Sequence, residues 1–317
     1  MRWRHSIVTV TWVSVLVLGC SAPEETVSAI GTPDSDNAPL WVYTVNYPLA
    51  YLAERIGGSE VEAVLPVPAG NDPAYWSPDA ETVAAYQSAD LILLNGAGYA
   101  QWVGRVTLPE TRLVDTSVGF RDSLLPLDDG PVHTHGPEGE HSHTGYAFTT
   151  WLDPTLAIAH AAAIRDALGA ARPERRGAFQ SAFERLEADL RAVDERWSAV
   201  ASTLDGEPLL FSHPVYQYLA RRFALNAESV HWEPDSAPDE AQWQALDALL
   251  ADHPARWMIW EAEPLPEVVE RLRAAGVESL VYRPNALPPM EADLLEASLE
   301  DLAAIDAAVS AAGRPSG

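Results

Sequence analysis

Residues 173–203 read PERRGAFQSAFERLEADLRAVDERWSAVAST, and the spacing within them decides the architecture. Phe179, Phe183, Leu186, Leu190, Val193, Trp197 and Val200 recur alternately four and three residues apart. That period sets them on one stripe of an α-helix. Arg175, Arg176, Glu184, Glu187, Asp189, Arg191 and Glu195 fall on the remaining faces. Pro173 suits a first helical turn, and neither Gly nor Pro interrupts the run between Gly177 and Gly206. At 1.5 Å per residue the helix is about 45 Å long, more than one small domain needs. A coiled-coil partner helix is the alternative. The sequence on its two sides looks alike, which favours a spine packed along both halves of a two-lobed protein.

Before the spine, a β-rich run at 40–45 leads to a helix opened by Pro48 and closed by Gly57-Gly58. A strand at 61–67 and a loop at 68–73 follow, and Ser77-Pro78 begins the next helix. The apolar run 91–94, a helix near 99–106 and a strand at 112–114 complete this half. After the spine come strands at 208–212, 229–232, 257–260 and 279–282, separated by helices at 214–223, 239–250 and 264–275. An amphipathic helix at 290–312 closes the chain. Strands alternating with helices imply parallel sheets and crossover connections. The expected fold is therefore α/β, with two lobes of mostly parallel sheet joined by one long backbone helix. The lobes are placed at 40–155 and 206–317, with connecting helices at 156–205. Ligands of such sheets sit at the carboxyl ends of the strands, here in the cleft between lobes.

A chain of 317 residues can bury a full core and predicts about two domains. Its formal net charge is −26 and every basic residue is Arg. An acidic surface argues against nucleic acid, whose phosphates need a basic stripe, and is compatible with attracting cations. A G- and C-rich genome or a salty habitat accounts for most of that balance. Arg2 and Arg4 precede an apolar run at 7–18, then Gly19 and Cys20, the only cysteine. The run is short for a membrane span and has the shape of a signal peptide. Val17-Leu18-Gly19-Cys20 resembles the bacterial lipobox, which makes Cys20 the lipidated residue of an exported protein. An ordinary secretory signal with a chance cysteine is the alternative. Residues 21–39, rich in Ser, Pro, Thr, Asp and Glu, read as a flexible tether.

His133, His135, His141 and His143 crowd one loop, placed at 131–145, with acidic residues among them. Imidazole and carboxylate suit zinc and its neighbours, and a loop of this kind wraps an ion without fixing its geometry. His213 follows a strand end directly, His231 and Glu233 end another short strand, and Glu261 and Glu263 follow Trp260. All five are candidate strand-end ligands, with His213, His231 and Glu261 foremost. His160, in an Ala-rich helix, and His253, at a helix end, read as structural or exposed. There is no Gly-x-Ser-x-Gly elbow, no phosphate-cradling Gly loop and no HExxH helix, so the sequence points to binding, not to a reaction.

These pieces resemble the zinc- and manganese-binding solute receptors of bacterial ABC importers. The resemblance covers roughly 40–312. It rests on Val45-Asn46-Tyr47-Pro48-Leu49-Ala50, Gly70-x-Asp72-Pro73 and Ala89-Asp90-Leu91-Ile92, then the His-rich loop and Trp151-Leu152-Asp153-Pro154. It continues through the spine and Phe211-Ser212-His213. It implies a monomeric, lipid-anchored receptor in the periplasm or on the outer cell surface. Such a receptor holds Zn²⁺, or less readily Mn²⁺, between its lobes and hands it to a membrane permease. Of the family's four ligand positions only His213 matches; Ala74, Thr149 and Arg283 stand at the other three. Two expectations follow. Either zinc is held by His213 with the His loop, Glu261 or His231, or the cleft is remade. In a remade cleft Tyr75, Trp76, Thr149, Trp151 and Trp232 form the wall, and Arg283 forks onto a chelated metal or a small organic anion. A surface lipoprotein without transport is the third reading.

Overall fold

The computed structural model describes residues 38–127 and 145–312, with the backbone of two short strands at 133–134 and 140–141. The leader, Cys20, the tether, His135 and His143 lie outside the described residues.

The first sheet has the order β2-β1-β3-β4, from β1 (Leu40–Thr44), β2 (Val61–Val64), β3 (Leu91–Leu94) and β4 (Leu113–Asp115), all parallel. Of its two central strands β3, Leu-Ile-Leu-Leu, is apolar on both faces, as parallel strands covered on both sides require. The connecting helices are α1 (Tyr47–Gly57) and α2 (Ala80–Ser88). Asn46 starts α1 by accepting the Leu49 amide at 3.1 Å, and Asp79 starts α2 through the Thr82 amide at 2.8 Å. The helix expected near 99–106 is only a 3₁₀ turn, Gln101–Arg105. Gly96, Ala97, Gly98 and Ala100 before it all carry positive φ, a left-handed run no α-helix can continue through.

After this sheet comes a small antiparallel pair, β5 (Pro126–Leu127) and β8 (Gly145–Tyr146). Within the His-rich segment β6 (His133–Thr134) pairs antiparallel with β7 (Glu140–His141), setting His133 opposite His141 in register.

The helices α3 (Pro154–Ala171) and α4 (Arg176–Leu204) then run back over the sheets. Pro173 sits in a 3₁₀ turn, Pro173–Arg175, just before α4 proper. All seven residues of the apolar stripe are buried, and α4 ends where Asp205 and Gly206 turn left-handed. The spine packs against α1, α3 and the last helix, α8 (Leu294–Ala312). One continuous core takes in α4, Val42 and Ile92 of the first sheet, and Leu209 and Ile259 of the second.

The second sheet has the order β10-β9-β11-β12, from β9 (Leu209–Phe211), β10 (Ala227–Ser229), β11 (Trp257–Trp260) and β12 (Glu278–Val281), again parallel. Its helices are α5 (Gln217–Phe223), α6 (Glu240–Asp252) and α7 (Pro266–Ala274). The strand expected at 229–232 lies earlier, so His231 and Glu233 belong to the segment that leaves β10, ahead of the turn at 234–235. The closing helix begins at Leu294 because Asp293 accepts the Leu295 and Glu296 amides, each at 2.9 Å, while Glu296 accepts the Asp293 amide in return. Among the described residues no helix is long and apolar enough to cross a membrane.

Candidate metal centre

Three neighbouring strands of the second sheet bring their carboxyl ends to one edge. His213 lies two residues past β9, Glu261 directly follows β11, and Glu233 lies in the segment that leaves β10. Backbone pairing continues beyond the strands: Ser212 donates to Ile259 at 2.9 Å, and Trp232 to Ser212 at 2.7 Å. The main chain just before each of the three side chains is thereby held. Ligand atoms of His213, Glu233 and Glu261 lie within 4.8 Å of one another. His213 Nδ1 is 3.7 Å from Glu233 Oε1. Donors about 2.1 Å from a tetrahedral zinc are separated by about 3.4 Å, so small side-chain rotations bring this trio to ligating distance. His213 is buried and both glutamates are half-buried. The His231 ring stands edge-on to that of His213, centroids 5.8 Å apart.

The trio forms part of the wall of a cavity of about 990 Å³ that reaches from the second lobe to the first. The first lobe contributes Asp72, Tyr75, Tyr99, Phe148, Thr149 and Trp151. Phe148 meets Tyr75 and Tyr99 edge-on, and Tyr99 meets Trp151, so the rings form one aromatic wall. The Trp151 indole donates to the Pro284 carbonyl at 2.8 Å, tying this wall to the chain that leaves β12. Burial pushes the Tyr75 hydroxyl up, and the charges of Asp72 and Glu233 add to the shift. Tyr75 thus senses carboxylates of both lobes.

Three sequence expectations change here. Trp232 does not line the cavity; it packs in the core against Trp243 and Trp260. Along an extended chain neighbours point oppositely, so His231 and Glu233 face the cavity while Trp232 faces away from it. Trp76 is half-buried outside the cavity lining. Arg283 does border the cavity, but its guanidinium is forked onto Asp301 of α8, with contacts of 2.5–3.2 Å, so that fork is filled from within the protein.

The replaced ligand positions offer no side-chain donor to the cavity. Ala74 is buried, its amide held by Asp72 Oδ1 at 2.8 Å. The Thr149 hydroxyl donates to the Val215 carbonyl. Glu233, a strand-end carboxylate outside the foremost candidates read from sequence, completes the trio where His231 does not. The alternation His231-Trp232-Glu233, small imidazole and carboxylate flanking a large apolar ring, is the signal that marks it. Of the other histidines, His253 caps α6 and contacts the Leu209 carbonyl at 2.8 Å. His160 is wholly buried between Thr116 and Thr150. His133, His135, His141 and His143 lie outside the residues whose side chains are described.

Two parallel α/β sheets on one spine helix, with imidazole and carboxylates at strand ends beside an interlobe cavity, define a two-lobed α/β protein with a donor-lined cleft. Residues 42–308 match the family of zinc-uptake complex component A, periplasmic, and the chain belongs to that family. It is 25% identical over 251 residues to the zinc-binding lipoprotein AdcA of Streptococcus pneumoniae, covering 77% of this chain and 50% of AdcA. The chain therefore spans about half the length of that relative. A putative metal-binding protein of Treponema pallidum is 26% identical over 202 residues, 62% of each chain. Among solved structures, Zn(II)-bound AdcA of S. pneumoniae superposes with a TM-score of 0.72 at 21% identity, covering 85% of this chain and 57% of AdcA. The metal-dependent lipoprotein YcdH of Bacillus subtilis does so with a TM-score of 0.71 at 20% identity, covering 84% and 98%.

Proposed function

We propose that this chain is the substrate-binding component of a zinc-type ABC importer, exported and anchored through Cys20, which captures Zn²⁺ at the second lobe and delivers it to a permease. The observation that carries the reading is the convergence of His213, Glu233 and Glu261 at the ends of three adjacent strands, where one imidazole and two carboxylates reach a common point. Imidazole with carboxylate suits zinc, and also manganese, better than it suits the soft ions that prefer thiolate. His231 stands beside the trio but outside the group of atoms within ligating reach. The family and its zinc-binding relatives favour zinc over the other ions such a donor set accepts. The assignment is capture and delivery, with no reaction at the site.

Calorimetric titration of a soluble form beginning at Ser21 tests it. One Zn²⁺ binds per chain, and His213→Ala or Glu261→Gln weakens binding by more than about 100-fold, beyond what loss of a mere outer-shell partner costs. Binding unchanged in both variants, and lost only when residues 133–143 are deleted, would move the site to the His-rich loop. No binding in any form would overturn the zinc assignment.

A further inference from the structure

We propose that the cleft takes its divalent cation already held by a small chelator, whose neutral nitrogen donors complete the coordination sphere and whose rings lie against the aromatic wall. The inference rests on the zinc reading above and adds what accompanies the ion.

The donors grouped within ligating distance all come from the second lobe. Opposite them, Ala74 has no polar side-chain atom, the Thr149 hydroxyl gives its proton to the Val215 carbonyl, and Asp72, which accepts the Ala74 amide at 2.8 Å, lies outside the ligand group. A zinc ion held by three protein ligands keeps a position for an outside donor. The cavity is also far larger than that position requires. At about 990 Å³ it lies at the upper end of the range for small-molecule pockets, roughly 300–1,000 Å³, whereas a single water takes about 30 Å³. The space beyond the ion is bounded by Tyr75, Phe148 and Trp151, flat apolar surfaces suited to a ring and of no use to a hydrated cation.

Charge selects the chelator. Asp72, Glu233, Asp235, Glu261, Glu291 and Glu300 border the cavity, against the single guanidinium of Arg283, which Asp301 already neutralises. A chelator that binds metal through carboxylates would bring further negative charge into this field. One that binds through neutral nitrogens leaves the complex cationic, and the field draws it in. For the same reason a free organic anion does not suit the cleft.

The test uses the soluble form from Ser21 and 2,2′-bipyridine as the probe, a flat, neutral, two-nitrogen chelator. Zn²⁺, equimolar Zn²⁺–bipyridine and bipyridine alone are titrated by calorimetry while the absorbance of bound bipyridine is followed. The complex is expected to bind as one protein, one zinc and one bipyridine, about 10-fold or more tighter than Zn²⁺ alone, the gain of one good aromatic contact. Bipyridine alone binds more weakly than the complex, Glu261→Gln weakens both metal forms, and Tyr75→Ser narrows the gap between them. If Zn²⁺ alone binds as tightly as the complex, or bipyridine strips zinc from the protein, the chelate inference fails and the zinc reading stands. Bipyridine binding as tightly without metal would also overturn it. If neither metal form binds, both readings fail together.

Discussion

At the scale of single residues, His160 shows how burial decides a protonation state. Its ring is wholly buried, and the loss of solvation pushes its pKa down to about 3, with Asp115 opposing. The hydrogen-bond network also fixes its tautomer. The one hydroxyl proton of Thr116 goes to the Leu94 carbonyl at 2.8 Å, so Thr116 accepts from His160 Nδ1 at 2.6 Å. Nε2 is then the acceptor for the Thr150 hydroxyl at 2.8 Å. A ring that must stay neutral links stability to pH. Below the unfolded value of about 6.5 the unfolded chain takes up a proton that the folded chain refuses. Stability therefore falls as pH drops from about 6.5 towards 3, by up to about 1.4 kcal/mol per pH unit from this group. Urea denaturation at stepped pH should show this slope in the native protein, and a slope one proton smaller in His160→Gln. The variant is also expected to lose about 1–3 kcal/mol near neutral pH, from a threonine hydroxyl left without its partner. Equal slopes for the two proteins would place the linkage elsewhere.

At the scale of elements, the spine was the most legible part of the chain. Its apolar residues keep a helical period over its whole length, and tertiary context had nothing to override. The short strands of the second sheet lie within three residues of their expected bounds, and the alternation His231-Trp232-Glu233 is the same on either placement, with Trp232 in the core and Glu233 on the cavity. Which strand-end carboxylate meets His213 depends on the order β10-β9-β11, a long-range pairing that no local pattern encodes. The Arg283 guanidinium was open to misreading for the same reason: its partner, Asp301, lies on α8, and only the packing of that helix against β12 joins them. The spine offers the sharper test at this scale. Trp197 is fully buried, edge-on to Tyr282 at 4.8 Å and stacked on Phe223 at 5.8 Å, contacts that join α4 to the second lobe. Trp197→Ala should cost about 3–5 kcal/mol in urea unfolding, since it removes the ring and leaves a cavity the helix cannot close. A loss below about 1 kcal/mol would mean that the lobe repacks freely around the spine.

At the scale of the molecule, the two sheets share one core and are bridged around the cleft. Tyr47 donates its amide to Ala286 at 2.9 Å, the Trp151 indole reaches Pro284 at 2.8 Å, and the Tyr218 hydroxyl reaches Ala147 at 2.7 Å. Each of these bonds runs between a residue before the spine and one after it, so neither lobe can lose its structure without exposing polar groups and core surface of the other. Such a molecule unfolds in a single transition, and a ligand held by the second lobe stabilises both. Zinc bound only by the native state adds RT ln(1 + [L]/Kd), about 2.7 kcal/mol when the free ion is at 100 times Kd. For a protein of this size that corresponds to a rise in Tm of roughly 4–5 °C. Scanning calorimetry of the soluble form should therefore give one endotherm that moves upward as a whole with zinc and stays in place in His213→Ala. Two endotherms, of which zinc moves only the one containing the second sheet, would show that the bridges around the cleft do not couple the lobes.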